Sequence, residues 1–527
     1  MAEPSISLGP FDLLSVAGRG ATGEVWRAVH RAQGLPAAVK IITAPHGGAT
    51  EVRRHLAREV RAVARLDHPG IVRLFDQGEL PASVAEKTGR FAADTPYLVM
   101  AWVEGGTLGE QVGRLAWPTM RATLLALLDA LGHAHARGVV HRDLKVANVL
   151  LGPGGPVLTD FGVAVALDTD RSGERKTAGT PNYMAPEQIR GDWRAVGPWT
   201  DLYALGCLAY ALASGRTPFA GRGARGVMAA HLTVPVPRLM TLVALPLGFE
   251  DWLLRLLAKS PAERFRFAAD AAVALRALND DMGDISASIE GVDSTSIDED
   301  ATVFEPPAFV PVSETAWDAG PTADGRPPPP ADWRRPDPPL PAAPLRGTGR
   351  ALFALREPLL IGREAERDHL WAALRAVAAG EGAGLVLIEG ASGTGKSHLA
   401  TWLARRAHEL AVAEPLRVTH DHPNGPSCGL GPMLARHLRT QRLEGEALIT
   451  RVQAGLAPVM PVEAELFPAL AAATRPDHRV DGPTPVALGS PRERYETICR
   501  GLGVLADRRP LLMVVDDAQW GEDALRF

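Results

Sequence analysis

The stretch His141-Arg142-Asp143-Leu144-Lys145-Val146-Ala147-Asn148 is followed, at loop-length distance, by Asp160-Phe161-Gly162. It supplies in order a base-like carboxylate (Asp143), a cation (Lys145), an amide (Asn148) and a second carboxylate (Asp160). Hard cations require convergent oxygen ligands, and such a set with a nearby ammonium can hold a nucleoside triphosphate and Mg²⁺ against a hydroxyl. Any one of these residues alone would be read as a solvated loop side chain. The whole set in this order is not a chance arrangement.

Upstream, Phe11 to His30 reads as two strands joined by Gly18-Arg19-Gly20-Ala21-Thr22-Gly23. Glycines allow a backbone to approach phosphate oxygens with N–H groups exposed. The same spacing also opens dinucleotide-binding folds, so alone it decides little. Here a strand carrying Ala37-Ala38-Val39-Lys40 follows, where a dinucleotide fold would place a helix. Lys40 in an apolar strand needs an ionic partner. Together these segments resemble a serine/threonine protein kinase, whose fold is an α+β bilobal one. The resemblance implies that Lys40 pairs with Glu59, nine residues before His68-Pro69-Gly70-Ile71-Val72, and orients the phosphates; Glu51 is the weaker competitor. It further implies a nucleotide site lined by Gly18, Gly20, Gly23, Val25, Ala101 and Val103, with Met100 behind the adenine. Asp143 would accept the substrate hydroxyl's hydrogen bond, Lys145 would offset γ-phosphate charge, and Asn148 and Asp160 would hold Mg²⁺. Lys145, two residues after Asp143, is the Ser/Thr form of this loop.

The segment from Asp160 to Met184-Ala185-Pro186-Glu187 contains Gly179-Thr180-Pro181, which resembles a groove for a polypeptide hydroxyl. Thr180 is expected on Asp143 and Lys145. Thr177, ahead of Thr169 and Ser172, is the expected phosphosite, with Arg142 as its cation. Glu187 is expected to pair with Arg264, and Asp201 to brace the catalytic-loop backbone. Thr22 departs from the bulky apolar residue usual at the glycine-loop tip, yet no reactive position is lost. Pro81 to Pro96 reads as a surface-loop insertion.

A chain of 527 residues exceeds the roughly 250–300 that one core supports. Net charge −5 with 46% hydrophobic residues calls for neither nucleic acid nor an anionic membrane. Cys207, Cys428 and Cys499 are widely spaced, which argues against zinc and disulfides and for a reducing compartment. With no signal-peptide pattern at the N-terminus and no membrane-spanning run, a cytoplasmic protein is expected. Residues 1–280 are expected to form the kinase domain. Residues 281–350, acidic and then Pro-rich, are expected to be a disordered linker.

Residues 351–527 are expected to form an α/β P-loop NTPase domain. Leu385-Val386-Leu387-Ile388-Glu389 reads as a buried strand entering Gly390-Ala391-Ser392-Gly393-Thr394-Gly395-Lys396-Ser397 and then a helix. In that context G-x-x-x-x-G-K-S forms an anion cradle: loop amides and helix N-terminus hold phosphates, Lys396 reaches the terminal ones, and Ser397 ligates Mg²⁺. Pro510 to Asp517 reads as an apolar strand ending in Asp516, for Mg²⁺, and Asp517, which polarises the attacking water. With Gly362-Arg363-Glu364 upstream, this region resembles the AAA-type or STAND-class signalling ATPases of bacteria. The end at Phe527 marks the ATPase as C-terminally incomplete on this reading.

The expected activity is ATP-dependent phosphorylation of protein Ser/Thr hydroxyls, the kinase's own included, with ATP in two sites and oligomerisation possible through the ATPase module. The alternative is a nucleotide-switched signalling scaffold in which the ATPase dominates. A small-molecule phosphotransferase is disfavoured by Gly179-Thr180-Pro181 and Ala185-Pro186-Glu187.

Overall fold

The computed structural model describes residues 6–20, 23–42, 60, 63–161, 180–278, 329–334, 345–353, 355–356, 358, 360–420, 429–456, 464–475, 479–481 and 485–521. The chain divides into two units, residues 1–314 with 334–359 and residues 315–333 with 360–527.

In the first unit, six strands form an antiparallel sheet: β1 (Ile6–Leu8), β2 (Phe11–Gly20), β3 (Gly23–His30), β4 (Pro36–Ile42), β5 (Leu74–Glu79) and β6 (Pro96–Ala101). Their order is β1-β2-β3-β4-β6-β5, so β4 lies inside the sheet and β5 at its edge. The run Ala37, Ala38, Val39, Ile41, Ile42 is buried on both faces, which is why β4 reads as continuous rather than alternating apolar sequence. Gly23 is required by this packing. It has φ +143°, and a Cβ there would stand 2.0 Å from the Ile41 carbonyl oxygen.

The expected surface loop after Pro81 instead contains the helix Ala82–Thr88, closed by Gly89 in the left-handed conformation. Leu80, Val84 and Ala85 join the apolar cluster of Leu8, Phe11 and Val99. Burying Leu80, Val84 and Ala85 in that cluster holds the insertion against the sheet.

The larger lobe is built on the helices Trp117–Ala136 and Pro198–Ser214. Met120, Leu124, Leu127, Leu128 and Leu131 recur at helical spacing and bury completely. The helix Pro198–Ser214 is buried almost all round, from Leu202 to Ala213. Helices Phe249–Leu256 and Ala268–Arg276 pack beside these two. Two short strands, β7 (Val149–Gly152) and β8 (Gly155–Leu158), follow the catalytic loop as an antiparallel pair.

Part of the expected linker is built into the two units. Residues 279–328 and 335–344 lie outside the described residues. Trp333 packs in the second unit with Leu370, Trp371 and Leu403. Residues 345–350, expected as linker, and 351–356, expected to open the second domain, belong to the first unit. Leu345 and Leu352 are buried there. Two apolar side chains with a surface to enter outweigh the Pro-rich composition around them.

In the second unit, β9 (Glu414–Thr419) pairs in parallel with the chain's last described strand, β12 (Leu511–Asp516); β10 (Arg479–Val480) and β11 (Val486–Ala487) form a separate short hairpin. Helices Leu430–Leu438, Gly445–Leu456, Leu466–Ala473 and Pro491–Ala506 supply the core around Leu416 and Val418. The expected buried strand at Leu385–Glu389 is not formed. Leu385 is 97% exposed and Leu387 75%. A strand needs a ladder partner, and among the described residues none pairs with this run. Among the described residues, no helix is long and apolar enough to cross a membrane.

Candidate active site

The catalytic loop is fixed from beneath by one buried carboxylate. Asp201 accepts from the backbone N–H groups of His141 (2.7 Å) and Arg142 (2.8 Å) and from His135 Nε2 (2.8 Å). Burial alone would push this carboxyl up, but the hydrogen bonds from His135 and the Arg142 backbone hold it below the usual range. The bracing lets Arg142 occupy left-handed backbone, φ 66°, a conformation that disfavours non-glycine residues. His141 faces the Thr159 carbonyl through Nε2 (2.9 Å) and the Asp143 N–H through Nδ1 (3.4 Å), and burial lowers its pKa. One donor and one acceptor on the ring describe a neutral imidazole.

Above this floor the structure brings four expected residues together. Asp143 Oδ2 accepts from Lys145 Nζ (2.8 Å) and Asn148 Nδ2 (3.1 Å). Its Oδ1 accepts from the Thr180 N–H and hydroxyl, both at 3.2 Å. Lys145 Nζ also reaches Thr180 Oγ1 at 2.8 Å. The carboxylate is thus held in one rotamer by three residues from two segments. Asn148 Nδ2 further donates to the Asp143 carbonyl at 2.8 Å, which spends its amide nitrogen and leaves its carbonyl oxygen as the group for a cation.

Lys40 is buried and its ammonium lies 2.6 Å from Asp160 Oδ1. Asp160 has φ 62°, so the aspartate that meets Lys40 is in a sparsely populated conformation. Glu59, the expected partner of Lys40, lies outside the described residues, as do Glu51, Ala21, Thr22, Gly162, Thr169, Ser172 and Thr177. Gly18 and Gly20 sit at the exposed end of β2 opposite Val25 and Gly23, and a Cβ at either would meet nothing within 4 Å. Val25 and Ala101 border the same apolar cluster as Met100, Leu151 and Leu158. Val103 lies against Gly152, and Gly105 approaches the Leu151 carbonyl so closely that a Cβ would stand 1.9 Å from its oxygen.

In the second unit, Gly393 (φ 80°) and Gly395 (φ 90°) shape the loop before the helix Lys396–Glu409. Lys396 Nζ donates to the carbonyls of Gly390 (2.9 Å) and Ala391 (2.8 Å). Ser397 Oγ lies 2.6 Å from Asp516 Oδ1, so the two expected Mg²⁺ ligands meet across 119 positions of sequence. Asp517 follows in left-handed backbone, φ 54°. Arg417, which the sequence reading did not single out, pairs with Asp516 Oδ2 at 2.8 Å. Burial pushes the Asp516 carboxyl up, and the bonds from Ser397 and Arg417 bring it net below the usual range. The signal for Arg417 was a lone cation inside the apolar strand Leu416-Arg417-Val418.

Behind Pro181–Tyr183, His231 is fully buried, with Nδ1 2.8 Å from the Tyr203 hydroxyl. Burial, with the Lys259 charge beside it, pushes its pKa down to about 4. An unfolded histidine titrates near 6.5, so between those values the unfolded chain binds the proton that the native state resists. Stability should therefore fall as pH falls from about 6.5 toward 4, by about 2 kcal/mol between pH 7 and 5 from this residue. Denaturant unfolding at the two pH values, native chain against His231→Gln, checks the slope; equal slopes refute it.

With this geometry in place, residues 11–269 match the protein kinase domain and residues 359–526 the AAA ATPase domain. Serine/threonine-protein kinase PknA of Mycobacterium tuberculosis is 37% identical over 277 residues, 51% of this chain and 62% of that kinase. PknH of Mycobacterium bovis is 32% identical over 344 residues, 64% of this chain and 54% of that one. Pkn1 of Myxococcus xanthus is 37% identical over 270 residues, covering 49% and 37%. The chain spans less than two thirds of the length of each of these relatives. The first unit is a protein kinase domain. Its relatives are bacterial serine/threonine-protein kinases, and an AAA ATPase domain follows the kinase domain in this chain.

Proposed function

We propose that the protein uses ATP to phosphorylate Ser and Thr hydroxyls of proteins, itself included, in cytoplasmic signalling, and that the ATPase module regulates this activity. The carrying observation is the Asp143 carboxylate, held on both oxygens by Lys145, Asn148 and Thr180. Asp143 takes the hydroxyl proton as the substrate oxygen bonds to the γ-phosphorus; the β–γ bridging P–O bond breaks and ADP leaves. Lys145 offsets the charge on the transferred group, and Lys40 orients the phosphates. Asn148 through its carbonyl oxygen and Asp160 through its carboxylate would hold Mg²⁺, and their donor chemistry fits a hard cation. Mg²⁺, when bound, offsets phosphate charge. In the second unit, Ser397 and Asp516 would hold it in the same way.

Incubating the full chain with Mg²⁺-ATP and a generic basic protein should yield phosphoserine and phosphothreonine. ATP binding without any transfer would favour the scaffold reading. Lys396→Ala should weaken ATP binding in the second unit by roughly 10- to 100-fold, the worth of a charge-assisted contact to the terminal phosphates. A fluorescent-ATP titration of the full chain should then pass from two sites to one. An unchanged two-site isotherm would refute a working phosphate cradle there.

A further inference from the structure

Residues 345–356 are distant in sequence from the kinase domain, yet they close its smaller lobe. Leu345 enters the apolar cluster of Leu8, Phe11, Leu13 and Leu80. The Arg346 N–H donates to Gln33 Oε1 (2.6 Å), and its carbonyl accepts from the buried His30 Nε2 (2.9 Å). Gly349, at φ 79°, brings the backbone against β5, where a Cβ would stand 3.1 Å from the Phe75 carbonyl oxygen. Leu352 is 0% exposed and belongs to the cluster that holds Val60, Val63, Ala64, Leu66 and Leu74. Arg356 then donates to the Leu74 carbonyl at 2.7 Å, and Asp67 and Asp76 are near enough to act on its charge.

The contacts of Leu345 and Arg346 anchor the segment near β1 to β3, and those of Gly349, Leu352 and Arg356 carry it onto β5. β5 is the edge strand of the sheet, and an edge carries unpaired backbone groups that require cover. Residues 60–66 precede it, and Val60 directly follows Glu59, the expected partner of Lys40. Leu352 and the Arg356 hydrogen bond to Leu74 are therefore seated at the corner on which that ion pair would depend. Leu360, where the second unit resumes, comes four residues after Arg356.

We propose that residues 345–356 are a regulatory strap: docked, they hold Val60, residues 63–66 and β5 in their active arrangement, and the ATPase unit acts on the kinase by tightening or releasing them. The proposal rests on the kinase reading, so its test includes a readout independent of phosphate transfer. In the full chain, Leu352→Asp and Arg356→Ala are compared with the native protein by hydrogen exchange and by the initial rate of peptide phosphorylation. Leu352→Asp should speed exchange across residues 74–79 by about tenfold or more. It should also slow phosphorylation severalfold while residues 202–212 of the larger lobe keep native protection. Arg356→Ala should do both to a smaller degree, which guards against a Leu352 variant that fails to fold. Native exchange across residues 63–80 in both variants overturns the docking, and faster exchange at an unchanged rate overturns its control of activity. If the native chain transfers no phosphate, the kinase reading fails while the exchange result still decides the docking. For the link to the second unit, ATP should change exchange across residues 345–356 in the native chain and not in Lys396→Ala. The same response in both overturns that link.

Discussion

Asp143→Asn should lower phosphoryl transfer by about 10²- to 10⁴-fold, the usual contribution of a positioned general base. The substitution keeps the shape of the side chain and removes its ability to take a proton. It also sets donor against donor. Oδ1 and Oδ2 each accept two hydrogen bonds, so an amide nitrogen at either position faces N–H or O–H groups. The loop beneath is held independently through Asp201, so the unfolding midpoint should change little. Initial rates and a thermal melt on the same preparation separate the two effects. A variant that retains full activity would remove Asp143 from the chemistry. A variant that melts far below the native chain would show that Asp143 supports the fold instead.

The catalytic loop was legible because its residues act within a few positions of one another. Asp143, Lys145 and Asn148 sit on one turn of chain, and their spacing carries the geometry. The Lys40 contact was harder. Its ammonium can address more than one carboxylate, and Asp160, 120 positions away, is the partner among the described residues. Periodicity failed where burial depends on a distant surface. Leu385–Ile388 and Ala37–Val39 are both short continuous apolar runs, but only the second lies between strands that pair with it. The same limit hid Leu352. Leu352 stands in an apolar run, residues 351–355, that reads as the opening of the second domain and gives no sign that the kinase lobe offers it a place. Arg417 shows the converse: a lone cation in an apolar strand was visible, but its partner Asp516 lies 99 positions on.

The second large effect concerns stability. Arg264→Ala should destabilise the first unit by about 3–5 kcal/mol, the cost of leaving half of a buried ion pair uncompensated. A guanidinium has five N–H donors, and here each finds an acceptor. Nε donates to the Ala258 carbonyl (2.8 Å), and the two terminal nitrogens donate to both Glu187 oxygens (2.8 and 3.0 Å) and to the carbonyls of Trp199 and Lys259. Alanine takes a donor from three backbone carbonyls and leaves Glu187, itself buried, with the Thr200 hydroxyl at 2.7 Å. Against a domain stability of about 5–15 kcal/mol, that loss is a large fraction of the whole. Arg264→Lys should recover only part of it, because an ammonium cannot grip two carboxylate oxygens in a fork. Replacing both partners, Glu187→Leu with Arg264→Met, should cost less than Arg264→Ala, since no charge is then left buried alone. Urea unfolding of the four proteins tests this order. A double variant less stable than Arg264→Ala would show that the pair stabilises by its own attraction rather than by sparing Glu187 an unpaired burial. The consequence reaches the chemistry through the neighbouring residue. Gln188 holds the Arg142 carbonyl at 2.8 Å, so loosening Glu187 loosens the loop that carries Asp143.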